Sequence, residues 1–318
     1  MALVLPLFQV VPLLKPPFAA ASEFCFDGDS MTQDVPAGSR LLGAGLFLLA
    51  GGLASNSLLG PLALEVIRYR YSESLINQGV GLDLVAILGA VPLALLAGIL
   101  ALRGHRAAPV LAFIPSTFAL YMVPQYVVGP EYLDLPGNNE RFFVFHLVLF
   151  ILALALVVGS WVCIDGDSLP PRGAVSCRRR SLVLFGVAAF ILLGRWLPGI
   201  IDLTAGDPTG ADFLENPTAY LLIGLLDVGL VVPAALAAGI GLRRGARWAR
   251  KAAFAVIGWF ALVPAAVAAM AITMQLNDDP NATGGATALF VAAAMVFTVG
   301  AVVLYLPLFR PDEVSVGP

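Results

Sequence analysis

GLLDVGLVVPAALAAGIGLRRG, residues 224–245, decides the fold. As a helix rising about 1.5 Å per residue, these residues are about 33 Å long, enough to cross a hydrocarbon core of roughly 30 Å. The stretch ends on an arginine pair, as an inner membrane boundary does. Pro233 and the glycines are acceptable because neighbouring helices in a bundle re-satisfy freed backbone groups. Asp227 is the exception among the apolar residues. An ionisable group inside a membrane is by default a candidate for function.

The rest of the chain has the same character. Of its 318 residues 59% are hydrophobic and 12% charged, against roughly a quarter charged in a soluble domain. Seven further stretches are long and apolar enough to span, giving spans at 41–64, 82–102, 108–128, 142–163, 181–201, 218–242, 252–275 and 285–308. Loops such as DGDSLPPRGAVSCRRR and TAGDPTGADFLENP separate them. The expected class is therefore all-α: an integral membrane bundle of eight transmembrane helices, with the lipid bilayer as its first partner.

Charge reports orientation. Fourteen of the eighteen basic residues lie before span one, after spans two, four and six, and at the C-terminus; Arg68, Arg70 and Arg141 lie on the other side, and Arg195 is within span five. By the positive-inside rule this is a cell-membrane protein with both termini cytoplasmic. The opposite loops carry acids, among them Glu131, Asp212, Glu215 and Asp279. A net charge of −3 gives no reason to expect nucleic acid. Neither Lys15 nor Lys251 falls in a span, which excludes a retinal-type Schiff base within the bundle.

The first thirty residues fit this pattern poorly. They have an apolar run and an AAAS site, but no basic residue precedes the run as in a signal peptide. An upstream start, with Met31 as the second possible one, or a disordered extension over 1–40 is expected instead. The remainder divides into a first half over 41–165, an Arg-rich linker over 166–180, a second half over 181–309 and a tail over 310–318.

The opening stretch has a partner. PLALLAGILALRGHR from Pro92 and PAALAAGIGLRRGAR from Pro233 stand 141 residues apart and share nine of fifteen positions, Pro, Gly and Arg among them. PLALE at 61–65 and PGIID at 198–202 each place an acid four residues after a proline. Spans one to four and five to eight are thus expected to be two parallel four-helix repeats, an arrangement also found in transporters whose site lies between the halves.

The run INQGVGLDLVAILGAVPLALLAGILALRG, followed by FALYMVPQYVVGPEYLDLPGNNERFFVFHLVLF, resembles a family of uncharacterised prokaryotic multi-pass membrane proteins. In that family an acid opens a span, a proline follows within it, and an aromatic-rich helix pair comes next. The second-half run DVGLVVPAALAAGI is similar to its later segment. The resemblance implies a class of about eight spans and no assigned activity.

Polar residues within the spans supply the candidates. Asp227 lies about 24 Å from the inner edge and Arg195 about 21 Å, on consecutive helices. An ion pair between them is expected, serving either to neutralise both charges or to hold a solute. His146 and Gln125 fall in the same layer, and Asp83 marks its upper edge. For Asp83 the structural reading is a cap at a helix start, for His146 helix packing, and for Gln125 and Tyr126 interfacial packing. Asn56 is suited to bonding across helices.

No HExxH, GxSxG, P-loop or EF-hand pattern occurs, the cysteines Cys25, Cys163 and Cys177 follow no metal or redox spacing, and no disulfide framework is expected. His105 and His146 belong to opposite ends of the membrane. No metal or cofactor is implied, and an enzyme is the less favoured class. The leading expectation is a transporter-like or solute-binding protein with a site for a small solute or ion formed by Asp227, Arg195, His146, Gln125 and Asp83. A scaffold or sensor using the loops RRGARWARK and SCRRR is the alternative, and an enzyme acting on lipid-linked substrates the third.

Overall fold

A computed structural model describes residues 36–164, 169, 174–206 and 208–309. The proposed N-terminal extension up to residue 35, much of the linker, Asp207 and the tail from 310 lie outside the described residues. The described residues form eight helices long and apolar enough to cross a membrane: α1 Ala37–Leu59, α2 Glu73–Leu102, α3 Ala108–Val128, α4 Asn139–Cys163, α5 Val175–Ala205, α6 Pro217–Arg243, α7 Arg247–Leu276 and α8 Gly284–Phe309. All eight expected spans are present. The protein is a multi-pass membrane protein of all-α fold.

Several helices outrun their apolar segments. α2 begins nine residues before the expected 82, because Ser72 is a good N-cap: its side chain accepts the Leu75 N–H at 3.3 Å. Asp83 therefore lies well inside α2, which removes the capping role assigned to it. α5 likewise takes in 175–180, part of the expected linker, and α7 takes in Lys251, whose ammonium donates to the Trp161 carbonyl at 3.2 Å. Cys177 is a free cysteine, whereas Cys163 is disulfide-bonded, which the cysteine spacing did not indicate.

Three of the helices contain a widened π turn: Ala86–Ala90 in α2, Phe190–Trp196 in α5 and Asp227–Val231 in α6. Each ends two residues before a proline, Pro92, Pro198 or Pro233. A proline ring clashes with the carbonyl four residues back and offers it no N–H, and an extra residue in the turn relieves both problems. The turns in α2 and α6 are 141 residues apart, the offset of the sequence match. After each, a regular helix runs to a glycine of positive φ, Gly104 at 64° and Gly245 at 70°. The other sequence echo has no such counterpart. Pro61 follows the end of α1 in a turn that includes Glu65 at φ 51°, whereas Pro198 lies inside α5.

Helix neighbours are α1 with α2, α2 with α3 and α3 with α4 in the first half, and α5 with α6, α6 with α7 and α7 with α8 in the second. Between the halves α7 packs on α2 and α3, and α6 makes a lighter contact with α3. The apolar core is continuous through these contacts, with Phe113 of α3 and Phe254 of α7 both fully buried. The closest seam joins α2 to α7. A Cβ built on Gly81 would meet the Ala269 backbone at 2.5 Å, so only glycine permits this approach.

At the acid-rich end the halves are stitched by side chains. The caps of α2 and α6 bond each other: Asn216 Oδ1 accepts the Ser72 N–H at 2.9 Å, and Asn216 Nδ2 donates to Ser72 Oγ at 2.7 Å. Glu131, after α3, accepts the Thr218 N–H and hydroxyl at 2.6 and 2.7 Å at the start of α6. Asp279, after α7, accepts Asn77 Nδ2 at 3.1 Å in the first turns of α2. Each half thus lends an acid to a helix start in the other.

Candidate functional site

The five sequence candidates fall into separate groups. The first surrounds His146 on α4, which is fully buried. Asn56 Oδ1 on α1 lies 2.9 Å from His146 Nε2 and accepts the Tyr69 hydroxyl at 2.9 Å. Asn56 thus bonds across helices, as expected of it. An oxygen facing Nε2 requires the proton there, which leaves Nδ1 as a bare acceptor, and no partner meets it among the described residues. Tyr69 stacks on Tyr126 with ring centroids 5.0 Å apart. Beside this group Ser57 donates to Asp83 Oδ1 at 2.9 Å, with Asp83 only 2% exposed. These contacts join α1, α2 and α4 and the loop before α2, and they give the buried polar atoms partners where lipid and packed side chains exclude water.

The second group surrounds Asp227, the first residue of the π turn in α6. Its carboxylate does not form the expected ion pair with Arg195. Instead Oδ1 accepts the Tyr121 hydroxyl of α3 at 2.6 Å, and Oδ2 accepts the Trp196 indole N–H of α5 at 2.8 Å. Arg195 turns toward the membrane surface and pairs with Asp212 at 3.3 Å, with both side chains about half exposed. The reason is solvation. An arginine this close to the end of the bundle reaches water with its long stem, and pairing there avoids the cost of desolvating two ions.

Gln125 joins neither group through its amide. Its side-chain amide nitrogen, Nε2, donates to the Tyr121 carbonyl on its own helix at 3.2 Å, and its main-chain carbonyl accepts the Tyr71 hydroxyl.

Above Asp227 a small open cleft of about 50 Å³ lies between α2, α5 and α6, beside the short helix Ala211–Glu215. Its walls include Ser74 and Gln78 from α2, Arg195 and Trp196 from α5, Asp212 and Glu215 from the short helix, and Tyr220 from α6. The Arg195 guanidinium lies over the Trp196 ring at 4.9 Å from its centroid, and Trp196 meets Tyr220 edge-on at 5.0 Å. One wall therefore carries a cation and an aromatic face, and another carries two carboxylates. No family model, curated protein or solved structure matches this chain.

Tyr121, Trp196, Asp212, Glu215 and Tyr220 were not among the sequence candidates. Asp212 and Glu215 were visible as loop acids, but nothing in the sequence indicates that a short helix folds them back toward Arg195. Trp196 adjoins Arg195 in sequence, but consecutive helical side chains point about 100° apart, and its indole turns inward to Asp227 while Arg195 faces out. No group of three or more His, Cys, Asp or Glu suited to a metal is present among the described residues.

Proposed function

We propose that this is a transporter-like or small-solute-binding membrane protein whose polar site lies in the outer half of the bundle, at the cleft between α2, α5 and α6. The observation that carries the reading is Arg195: a guanidinium from inside a predicted span, exposed on the wall of a cleft, with an exposed carboxylate as its ion-pair partner. A solute carboxylate can displace Asp212 from Arg195 at little cost, because an exposed pair contributes about 0–1 kcal/mol. The displaced Asp212, together with Glu215, is then available to a cationic group, so a zwitterion fits best. Asp227 acts from beneath the cleft by holding Trp196.

Two further features support a site between halves. The π turns and positive-φ glycines at a common offset of 141 favour the two-repeat reading, and so do the exchanged acids Glu131 and Asp279. In this reading the cytoplasmic termini place the cleft on the outer face, in line with the charge distribution. The scaffold reading gains less, because basic groups near its loops are engaged with the bundle. Arg243 Nε donates to Ser181 Oγ at 3.1 Å, and Arg180 lies over Phe254 at 5.1 Å from the ring centroid.

A thermal-shift screen of the purified protein against small zwitterions, anions and cations tests the proposal. A compound that raises the melting temperature of the parent, but not of Arg195→Ala, is the expected result. Equal stabilisation of both proteins by every active compound would remove Arg195, and with it this site, from consideration.

A further inference from the structure

Half-buried Asp227 differs from fully buried Asp83 in where it leads. Asp83 is closed in beside Ser57, deep under the α1–α2 connection. The Asp227 carboxyl is bonded to Trp196, and Trp196 also lines the cleft. One side chain, Trp196, therefore lines the cleft and holds this carboxyl.

The groups around it suit two protonation states. Both oxygens are held by neutral donors, and among the described residues no cation touches the carboxylate, although Arg195 is near enough to act on it electrostatically. Trp196 can only donate, so it fixes Oδ2 as an acceptor. Tyr121 can donate to an ionised Oδ1 or turn and accept from a protonated one. The charged and titratable groups facing this point are Tyr121 from α3 and Arg195 from α5; α7 contributes the Trp259 ring, edge-on to Tyr121 at 5.0 Å. The carboxyl also spans the seam between α3 and α6, where helix contact is light.

We propose that Asp227 is a proton-binding site at the α3–α6 seam, reached from the cleft, and that its protonation state sets how tightly Tyr121 ties the two helices. The reaction is the transfer of one proton from hydronium to the carboxylate: an O–H bond of hydronium breaks, an O–H bond to Asp227 forms, and water leaves. Any coupling of that proton to a solute rests on the function proposed above; the protonation itself does not.

Infrared difference spectra of the purified protein, recorded between alkaline and acid buffer, test this directly. The parent gains a protonated-carboxyl C=O band on acidification. That band is lost in Asp227→Asn and retained in Asp83→Asn and in Arg195→Ala. In Tyr121→Phe, which keeps the carboxyl and serves if Asp227→Asn does not fold, it moves to higher frequency as a hydrogen bond is removed. Identical spectra for the parent and a folded Asp227→Asn overturn the proposal, as does an unmoved band in Tyr121→Phe. Failure of the solute reading leaves a different trace: no compound distinguishes the parent from Arg195→Ala, while the Asp227 band remains.

Discussion

Of the seams that join the halves of this bundle, α2–α7 and α3–α6 are built on opposite principles. Where α2 meets α7, backbones touch: Gly81 lies against Ala269, the Thr273 hydroxyl donates to the Asn77 carbonyl at 2.8 Å, and a Cβ on Gly89 would meet Leu262 Cδ2 at 2.9 Å. Where α6 meets α3 the contact is sparse, and a carboxylate and a phenol bridge it. At the 141-residue offset of the π turns Asp227 corresponds to Ala86, and Tyr121 to Leu262. One seam is thus closed by small residues and dispersion, and the other is held by a hydrogen bond that chemistry can alter. In lipid, where association has no hydrophobic drive between helices, the first kind is firm and the second adjustable.

The comparison breaks most readily at Gly81. An added methyl has no free space against a backbone, so Gly81→Ala must push α2 from α7, at a cost of about 1–3 kcal/mol. A clear fall in the melting temperature in detergent is expected. Gly79→Ala, where the nearest atom, Pro61 Cγ, is an ordinary 3.9 Å away, should leave it almost unchanged. Equal melting temperatures for the two variants would show that the α2–α7 seam is not closed by glycine.

The second seam should yield a smaller number. Interhelical hydrogen bonds in membranes contribute about 0.6 kcal/mol on average. A double-mutant cycle between Tyr121→Phe and Asp227→Ala, read by unfolding in detergent, should return a coupling of about that size. A coupling of zero would mean that the two groups are neighbours without being partners.

The difference between the seams also explains what was legible in the sequence. The eight spans could be read because membrane insertion depends on summed hydropathy, which tolerates errors at the ends. The match between the two stretches includes Pro92 and Pro233, and the structure gives those residues a job: each follows a π turn. The pairing of Asp227 could not be read. Depth along two helices put Arg195 at the right level, but level does not determine the direction of a side chain. On α5 it is Trp196 that points inward to Asp227, and its neighbour Arg195 reaches Asp212. Asp83 was misread for a related reason, since hydropathy begins α2 at its apolar segment whereas Ser72 begins it ten residues earlier. His146 and Asn56 could be paired in principle, as two polar residues on helices that must satisfy each other, but Tyr69 enters from a loop and has no periodicity to reveal it.

The smallest expected effect concerns the acids exchanged at the helix starts. Asp279 stands outside the spans and ties the loop after α7 to α2. Partial burial pushes its pKa up, but hydrogen bonds from the Asn281 N–H at 2.9 Å, from Asn77 and from Ser74 outweigh this and hold it below the usual carboxylate range. A carboxyl whose folded pKa is depressed adds stability above its unfolded value, about 3.9, and loses that contribution as pH falls through the folded value. The parent should therefore melt slightly above Asp279→Asn near neutral pH, and the gap should close in acid, below about pH 4. A gap that persists unchanged into acid would assign the difference to the shape of the side chain, leaving α2 held to the second half by Gly81 and the cap pair Ser72 and Asn216, with no contribution from charge.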